Sequence, residues 1–458
     1  MNGNGGGLAG LLGPGGPGIV KAMRAGQAFL DAHKTGELLA RVGQVIEEVP
    51  ACQPIDKRGL QKSYGGGDGA TDDLLVGRGM FYITEQRRLC LDCTSGHYQM
   101  VWGYNPPEIC RVIDEGTRAG VVWDNHTNIP QSPVKRLVER LVEVANAPGE
   151  NGPLDTVLLG TCTGSVACAA ALKMQIVSFE RKHGQDAAPV FVVLKGNYHG
   201  TDMVAQYLRG MWPRYVRNIE VAAVEPNDAE GLERAFSRGE GRVAAFWAEP
   251  VMMNREAIPV EPWYLQLARG LCDRARAAMC IDEIQTGFWG GDVFSYRSMA
   301  FTPDMVIAGK GMTAGFHPLS GVVYRRRYDC LEQYDAISTN GMAALPALVA
   351  LANMEMIERA APRLTELAGR YAAAMAALAK RHGDMLVESR GRGFMTGLKF
   401  IDRQKALDFH RRAVKAGLWV RAHAYHEGHS TVLTKLGLGA DEQIIDFVVG
   451  KFDELLRA

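Results

Sequence analysis

The sequence predicts an α/β fold, with a large domain whose mostly parallel sheet is flanked by helices and a smaller α+β domain formed by the N- and C-terminal parts. Two observations carry this prediction. Beyond about residue 130, helical stretches alternate with short, continuous apolar runs, which is typical of parallel strands covered on both faces. After about residue 343, long helical patterns flank two candidate strands, which indicates a separate and smaller unit.

We expect five parts along the chain: 1–18, a glycine-rich disordered tail; 19–73, an N-terminal helical extension and linker; 74–125, the N-terminal part of the small domain; 126–342, the large domain; and 343–458, the C-terminal part of the small domain. The glycines and prolines of the first part cost too much backbone entropy to order without partners. Between Val20 and Val49, apolar residues three and four apart predict one or two amphipathic helices. The glycines at 65–69 could belong to a nucleotide loop or to a plain linker, and the lack of a preceding buried strand favours the linker.

Short apolar runs mark the strand candidates of the large domain. In chain order they are LDTVLLG, PVFVVLKG, RVAAFWAEP, AMCIDEIQ, DMVIAGK and SGVVYRR. In the smaller domain, helical patterns over Ala343–Met375, Arg403–Ala416 and Asp441–Leu456 accompany the strand candidates MTGLKF and LWVRAH. The segment MFYITEQRRLCLDC alternates between apolar and polar residues, as a hairpin does.

Composition and charge narrow the class of partner. The 51 lysines and arginines balance the 51 aspartates and glutamates, so a small molecule is the expected partner rather than nucleic acid. The nine cysteines are scattered, and the close pair Cys90 and Cys93 lacks the second pair or the histidines of a zinc set. We therefore expect reduced thiols and no metal.

Targeting signals are not apparent in the sequence. No run of about 18 apolar residues occurs, so no segment is expected to span a membrane. The first residues lack the basic and apolar regions of a secretion signal. Together with the reduced cysteines, these observations favour a cytoplasmic location.

Polar residues directly follow three of the apolar strand candidates. Asp282 follows Met279–Ile281, Lys310 follows the run that ends at Gly309, and Glu249 follows the run that ends at Ala248. In open α/β sheets, ligands bind at the carboxyl ends of the strands. The sequence therefore predicts that these side chains share one site.

The lysine at position 310 is the most informative of them. An ammonium at the edge of a core is costly unless it is paired or its charge is consumed, and imine formation with an aldehyde consumes it. The alternative is a side chain that extends to solvent. Asp282, which lies 28 residues upstream at the end of a neighbouring strand, favours the chemical interpretation.

The motifs resemble those of the class III aminotransferases, a fold type I group of pyridoxal 5′-phosphate (PLP) enzymes that includes the ornithine, acetylornithine and 4-aminobutyrate enzymes. The resemblance covers about residue 75 to the C-terminus. It rests on Asp282–Gly287, on Pro303-Asp304-Met305 before Gly309-Lys310-Gly311, on Tyr198-His199-Gly200 and on Glu249-Pro250-Val251. It implies PLP as the cofactor and the fold of a type I PLP-transferase.

The resemblance also implies roles for the residues around the cofactor ring. Lys310 would carry PLP as a Schiff base, and Asp282 would keep the pyridine nitrogen protonated, so that the ring can accept electrons. Ile284 would pack on one face of the ring and Tyr198 on the other, although core packing is the alternative for a lone tyrosine. Gln285 would reach the ring hydroxyl.

A second group of residues is implied for the phosphate. The match to the family's phosphate loop assigns Thr163, Gly164 and Ser165, which precede an apolar helix whose N-terminus favours anions. The residues that usually follow this loop in the family, Glu and Asn, are replaced here by Val166 and Cys168.

Two further residues complete the implied cofactor site. Glu249 joins the cofactor-binding set through its motif. Thr339 matches a threonine that, in the family, binds the phosphate of the neighbouring subunit's cofactor, whereas a helix N-cap is the alternative role. The resemblance therefore implies a homodimer, or a multiple of one, with shared active sites.

The implied reaction moves an amino group between a small-molecule amine donor and a carbonyl acceptor, through the Lys310 Schiff base and pyridoxamine phosphate. The same residues could support a racemase or epimerase, a decarboxylase or a phospho-lyase, and a non-catalytic PLP-fold subunit is a further alternative. Many family members fix a carboxylate with an arginine before a Pro-Pro-Leu segment, and the corresponding stretch His429–Leu436 lacks both. The substrate is therefore not expected to be a standard amino acid held by that arginine.

Overall fold

The computed structural model describes residues 7–57, 59, 72–123, 128–147, 152–211, 216, 218–239, 241–336, 338–424 and 426–457. The glycine-rich linker at 65–69 and the expected domain boundary at 125/126 lie outside these ranges. The division of the chain into five parts therefore stays a prediction.

Helices and strands alternate through most of the described chain. The helices are α1 (Leu8–Leu11), α2 (Gly16–Ala32), α3 (Thr35–Arg41), α4 (Ser95–Tyr98), α5 (Pro107–Arg118), α6 (Ser132–Ala145), α7 (Gly164–His183), α8 (Met203–Leu208), α9 (Ala229–Arg238), α10 (Pro262–Ala275), α11 (Ala344–Arg381), α12 (Arg403–Lys415) and α13 (Glu442–Arg457). The strands are β1 (Leu74–Arg78), β2 (Phe81–Thr84), β3 (Leu89–Asp92), β4 (Thr156–Leu158), β5 (Val190–Leu194), β6 (Glu220–Val224), β7 (Val243–Ala248), β8 (Val251–Met252), β9 (Ile258–Pro259), β10 (Ala278–Asp282), β11 (Met305–Ala308), β12 (Gly321–Tyr324), β13 (Leu386–Arg392), β14 (Met395–Phe400), β15 (Leu418–Trp419), β16 (Arg421–His423) and β17 (Thr431–Lys435).

A central sheet forms the middle layer of the large unit. Within the described residues it has seven strands in the order β4-β12-β11-β10-β7-β5-β6. All are parallel except β12, which runs antiparallel to its neighbours β11 and β4. The predicted mostly parallel sheet is therefore confirmed.

Helices cover both faces of this sheet. Alternate strand residues such as Phe191 and Trp247 pack with α7 on one face, whereas Val192 and Phe246 face the core that contains α6, α9 and α10. Every residue of β5, β7, β10 and β11 is buried, which explains why these strands read as continuous apolar runs. Strand β6 was not predicted, because it lies at the sheet edge and only Val224 in it is buried.

The smaller unit joins the two ends of the chain. The four-stranded sheet β1-β2-β3-β15 is completed by a C-terminal strand, since Leu418 pairs with Leu91 in parallel. A second sheet, β13-β14-β17-β16, is antiparallel throughout. The predicted α+β part formed by N- and C-terminal segments is present in this arrangement.

The N-terminal residues differ from the expected disordered tail. Helices α1 and α2 occupy residues 8–11 and 16–32, so the expectation is wrong for the helical residues before position 19. The reason is packing: Ile19 and Ala22 are buried, and α2 lies so close to β1 that a Cβ on Gly26 would be 2.7 Å from Val76 Cγ1. Residues 1–6 lie outside the described ranges.

A buried carboxylate ties the second small sheet to the large unit. Glu256 follows β8 and accepts hydrogen bonds from Lys399 Nζ on β14 at 2.7 Å, from Thr431 Oγ1 on β17 at 2.7 Å and from the Ser430 backbone N–H at 2.7 Å. Burial alone would raise the pKa of Glu256, but these hydrogen bonds and the charge of Lys399 outweigh it and lower the pKa. The contact holds β14 and the start of β17 against the segment that follows β8.

None of the described helices is both long enough and apolar enough to cross a membrane.

Candidate active site

Asp282 and Lys310 lie at the ends of adjacent parallel strands. Asp282 is the last residue of β10 and pairs in register with Ile307 of β11, and Lys310 follows the end of β11 by two residues. Lys310 is half-buried, and its Nζ lies 6.0 Å from the centroid of the Tyr198 ring. Its backbone is left-handed, with φ of 40°, a conformation that costs a non-glycine residue about 1–2 kcal/mol and that clusters at functional sites.

Three donors hold the carboxylate of Asp282 in place. His199 Nδ1 donates to Oδ2 at 2.8 Å, the Ile284 backbone N–H donates to Oδ1 at 2.9 Å, and the Cys168 thiol donates to Oδ2 at 3.6 Å. Burial alone would lower the pKa of His199, but the hydrogen bond and charge of Asp282 raise it. His199 Nε2 is buried and has no hydrogen-bond partner among the described residues, which favours the neutral Nδ1–H tautomer.

The same three side chains are close enough to hold a metal. The ligand atoms of Cys168, His199 and Asp282 lie within 4.8 Å of one another. Hydrogen bonds from the thiol and the imidazole to the carboxylate account for this closeness. Burial, followed by the negative charge of Asp282, raises the pKa of the Cys168 thiol well above its ordinary value, so the thiol stays a donor. The expectation of no metal stays a prediction.

Glu249 and Gln285 form a polar pair beside this carboxylate. Glu249 directly follows β7, and its Oε1 accepts the Tyr198 backbone N–H at 2.8 Å. Gln285 Nε2 donates to Glu249 Oε2 at 3.2 Å and to Asn254 Oδ1 at 3.1 Å. Burial raises the pKa of Glu249 to about 7.

The start of α7 lies against the same cluster. Gly164 is so close to Ile284 that a Cβ there would be 2.7 Å from Cδ1, and Ser165 Oγ accepts the Thr201 backbone N–H at 3.1 Å. The side chain of Thr163 caps none of the described first-turn N–H groups. These donors are therefore available to an anion.

Thr339 lies on an exposed turn and is not brought into the cluster within one chain. The turn packs on the start of the phosphate loop, because the Ser338 backbone N–H donates to the Gly160 carbonyl at 2.6 Å. Helix α11 begins at Ala344 with Ala343 as its cap, so Thr339 is not its N-cap. The alternative role that the sequence left open is therefore wrong.

Sequence reasoning missed several side chains of the cluster. His199 was present in a quoted motif but was not assigned, and Asn254 carried no signal. Lys435 is the last residue of β17. The pattern that identified Lys310, a lysine at the end of an apolar strand, could therefore also have identified Lys435. Lys435 is fully buried, with Nζ 3.6 Å from the centroid of the Trp289 ring, and it donates to the Gln285 carbonyl.

A sequence model of the family described as "Aminotransferase class-III" matches residues 73–434. The chain belongs to the class III aminotransferases.

Curated relatives of this enzyme include the acetylornithine aminotransferase of Xylella fastidiosa strain Temecula1, which is 29% identical over 335 residues that cover 71% of this chain and 78% of the relative. The ornithine aminotransferase of Emericella nidulans is 29% identical over 232 residues, 47% of this chain and 50% of the relative. Among solved structures, the ornithine aminotransferase of Toxoplasma gondii has a TM-score of 0.74 at 20% identity and covers 86% of this chain and 93% of its own. A transaminase from Virgibacillus has a TM-score of 0.75 at 19% identity, with 88% and 96% covered. The structural likenesses show the fold.

Class III aminotransferases use PLP, and the residues of this aminotransferase fit that cofactor. The cluster offers a buried, oriented carboxylate at Asp282 for the ring nitrogen and an open helix N-terminus at α7 for the phosphate. It also offers an amine at Lys310. Burial lowers the pKa of that amine, and the positive charge of Arg421 lowers it further, although Asp282 and Glu249 oppose the shift.

Replacing Glu249 by glutamine is expected to make the cofactor-free protein relatively more stable as the pH rises. The folded protein holds the Glu249 proton more tightly than the unfolded chain, because the pKa is about 7 rather than the ordinary 4.5. The stability from this proton is complete below pH 4.5 and is lost as the pH rises through 7, whereas glutamine has no such loss. The difference approaches roughly 3 kcal/mol above pH 7, and denaturant unfolding across this range measures it.

Glu256→Gln is the matched control of opposite sign. The pKa of Glu256 is lowered in the folded protein, so its contribution is present above the unfolded pKa and is lost as the pH falls. This variant should therefore lose more stability at neutral pH than in acid. Parallel pH profiles for the two variants would contradict the raised pKa of Glu249.

Proposed function

We propose that this aminotransferase moves an amino group from a small-molecule amine to a carbonyl acceptor, with Lys310 as the residue that carries PLP. The observation that carries the proposal is the placement of Lys310 and Asp282 at adjacent strand ends, with Asp282 in register with Ile307. When bound, PLP supplies an aldehyde and an electron-accepting pyridine ring. The chain's own residues must bind and orient that ring and move the substrate's proton.

Asp282 is assigned to the ring nitrogen. Its burial and its three hydrogen-bond donors support this role, because they fix the orientation of the carboxylate before any ligand binds. A fixed, buried carboxylate favours a protonated ring nitrogen. His199 and Cys168 are positioning residues for this carboxylate.

Lys310 is assigned as the base that moves the proton of the substrate carbon. A lowered amine pKa leaves more of the neutral, proton-accepting form near neutral pH. Ile284 and Tyr198 are assigned to the two ring faces, and Gln285 and Glu249 to the ring's polar edge. These four assignments are supported by proximity. Tyr198, Glu249 and Gln285 are joined by hydrogen bonds, and a Cβ on Gly309 would lie 3.5 Å from Ile284 Cγ1.

The phosphate is assigned to Thr163, Gly164 and Ser165, and to Thr339 of a second copy of the chain. The open donors of α7 support the first part. The exposed position of Thr339, beside the start of the phosphate loop, supports the second. We therefore propose a homodimer, or a multiple of one, in which a two-fold axis makes the sharing reciprocal.

The substrate and the compartment are further parts of the proposal. Relatives are named for acetylornithine and ornithine, but the stretch His429–Leu436 has no arginine, so we propose a substrate other than an amino acid held there. None of the nine cysteines, all of which lie among the described residues, forms a disulfide, which suits a reducing compartment such as the cytoplasm.

Lys310→Ala is expected to lower turnover by roughly 10²–10⁴-fold, because it removes both the amine that holds PLP and the base. Borohydride fixes PLP to the amine it is bonded to, and peptide mapping should then find the label on Lys310 alone. Lys195→Ala, which removes an exposed lysine paired with Glu225, is the control and should keep wild-type turnover. A label on Lys195 or Lys435 would show that the assignment is wrong.

Mixing two inactive variants tests the shared site. Thr339→Glu should repel the phosphate in the partner's site, and Lys310→Ala should disable its own. In a heterodimer one site collects both defects and the other has none, so random exchange should restore about a quarter of wild-type activity. Mixing Lys310→Ala with the double variant Lys310→Ala/Thr339→Glu is the control. No rescue despite demonstrated subunit exchange would exclude the shared site.

A further inference from the structure

Lys435 at the end of β17 is a buried basic side chain that the proposed reaction does not use. The residue is 0% exposed, and no described carboxylate lies within ion-pair distance of its amine. Lysine is rarely buried without a partner, because an amine that leaves water must recover its hydrogen bonds inside the protein. The groups that surround this amine therefore indicate what Lys435 contributes.

A backbone carbonyl and two aromatic rings surround the amine. Lys435 Nζ donates a hydrogen bond to the Gln285 carbonyl. It lies 3.6 Å from the centroid of the Trp289 ring and 5.4 Å from that of the Tyr98 ring. The rings favour the ammonium form, whereas burial, followed by the charge of Lys310, lowers the pKa of Lys435 well below its ordinary value. Either form of the amine has N–H groups, so the hydrogen bond to the carbonyl persists in both.

The turn after β10 returns this contact. The Trp289 indole N–H donates to the carbonyl of Leu436, the residue after Lys435, at 3.0 Å. Residues 283–289 and the end of β17 thus exchange one hydrogen bond in each direction. No described backbone N–H donates to the Gln285 carbonyl, and Gln285 is buried, so loss of the lysine would leave that carbonyl without its donor. A buried carbonyl without a donor is unfavourable, and the turn would move to satisfy it.

Trp289 carries the contact on to the backbone beside Lys310. A Cβ on Gly311, which directly follows Lys310, would lie 3.1 Å from Trp289 Cζ3, so the indole ring lies against this backbone. Lys310 has a left-handed backbone, and such a conformation persists only where its surroundings fix it. The Lys435 amine lies over the same indole ring, so one side chain links β17 to both segments.

The end of β17 is itself fixed in the small unit. The Lys435 backbone N–H donates to the Cys93 carbonyl at 2.7 Å, and the Lys435 carbonyl accepts the Ser95 hydroxyl at 2.8 Å. On the other side of the contact, Gln285 Nε2 donates to Glu249 Oε2 at 3.2 Å. Contacts therefore run from the segment after β3, through Lys435 and Gln285, to the residues assigned to the polar edge of the cofactor ring.

We propose that Lys435 is a positioning residue for the cofactor site, which fixes residues 283–289 through the Gln285 carbonyl and residues 310–313 through the Trp289 ring. The inference rests on the proposed function, since both segments carry residues assigned to PLP. In this role Lys435 contacts neither the substrate nor the reacting atoms. A displacement of about 1 Å at the residues that do can lower a rate about 100-fold, so loss of Lys435 should weaken cofactor binding and turnover more than it weakens the fold.

Hydrogen exchange measures the proposed restraint without catalysis. Lys435→Met keeps an unbranched apolar stem of similar length but removes the donor. In the full-length protein, with and without PLP, the amides of residues 283–289 and 310–313 should exchange about tenfold faster or more in this variant. The amides of β5 and β6 should keep their rates to within about twofold, because these strands have no contact with the altered side chain.

Tyr371→Phe is the matched control. It removes one buried hydrogen bond of 2.7 Å, between Tyr371 Oη and Thr434 Oγ1, from the residue that precedes Lys435. Exchange in residues 283–289, PLP affinity and turnover should stay within about twofold of wild type, because no contact with the turn is lost. Trp289→Phe keeps an aromatic ring for the amine but loses the indole N–H. It should raise exchange in the same two segments, and it decides the outcome if Lys435→Met does not fold.

Cofactor affinity and single-turnover kinetics supply a second readout, with L-alanine and propylamine as donors. In Lys435→Met the dissociation constant of PLP should rise roughly tenfold. The maximal rate should fall roughly 10- to 100-fold, while the half-saturating donor concentration stays within about threefold of wild type. The double variant Lys435→Met/Trp289→Leu should differ from Trp289→Leu by less than about twofold, because the two side chains act as one unit.

Three outcomes would decide the matter against or in favour of this role. Exchange that rises equally throughout the chain, or the same PLP affinity in wild type and Lys435→Met, would overturn the proposal, because the lysine would then serve the fold alone. If wild type transfers no amino group from either donor but PLP affinity and local exchange still depend on Lys435, the proposed function fails and this inference stands. A borohydride label on Lys435 would overturn both, since the lysine would then hold the cofactor itself.

Discussion

The parallel register between β10 and β11 is the constraint on which the rest of the site depends. Asp282 is paired with Ile307, and Lys310 follows Ile307 by three residues. The carboxylate and the amine therefore leave the sheet at the same end of the two strands. Both strands are fully buried, so neither can slip without exposing apolar side chains or breaking ladder hydrogen bonds. A buried carboxylate and a half-buried amine are unfavourable in isolation, and each lessens the cost of the other by its opposite charge.

The remaining parts are arranged around that pair. Helix α7 brings its N-terminus against Ile284, and the end of β7 brings Glu249 to Gln285. The small unit is tied to the large one by Glu256, which accepts hydrogen bonds from Lys399 on β14 and from Thr431 on β17, the strand that pairs with β16. The residues assigned to the cofactor within one chain thus belong to the ends of the central strands, to the loops that follow them and to the start of α7.

Local sequence patterns predicted the parts that depend on continuous burial. Strands such as β5 and β7 are apolar throughout, so the central sheet and the polar residues at its strand ends could be placed in advance. The edge strand β6 could not, because it is mostly unburied, and neither could the helical residues before position 19, which belong to α1 and to the start of an α2 that packs against β1. The contact between His97 and Arg421, with 2.9 Å between His97 Nδ1 and Arg421 Nη1, could not be predicted either, since these residues lie 324 positions apart and neither carries a local motif.

The protonation of the cofactor ring by Asp282 is the central claim, and Asp282→Asn tests it most directly. When wild type and Asp282→Asn are measured side by side, the turnover of the variant should be roughly 10²–10³-fold lower, because the charge that stabilises the electron-rich ring is lost. The affinity for PLP should fall only about tenfold, since a single charge-assisted hydrogen bond is weakened in the resting enzyme. Near-wild-type turnover in Asp282→Asn, with PLP still bound to Lys310, would contradict the account.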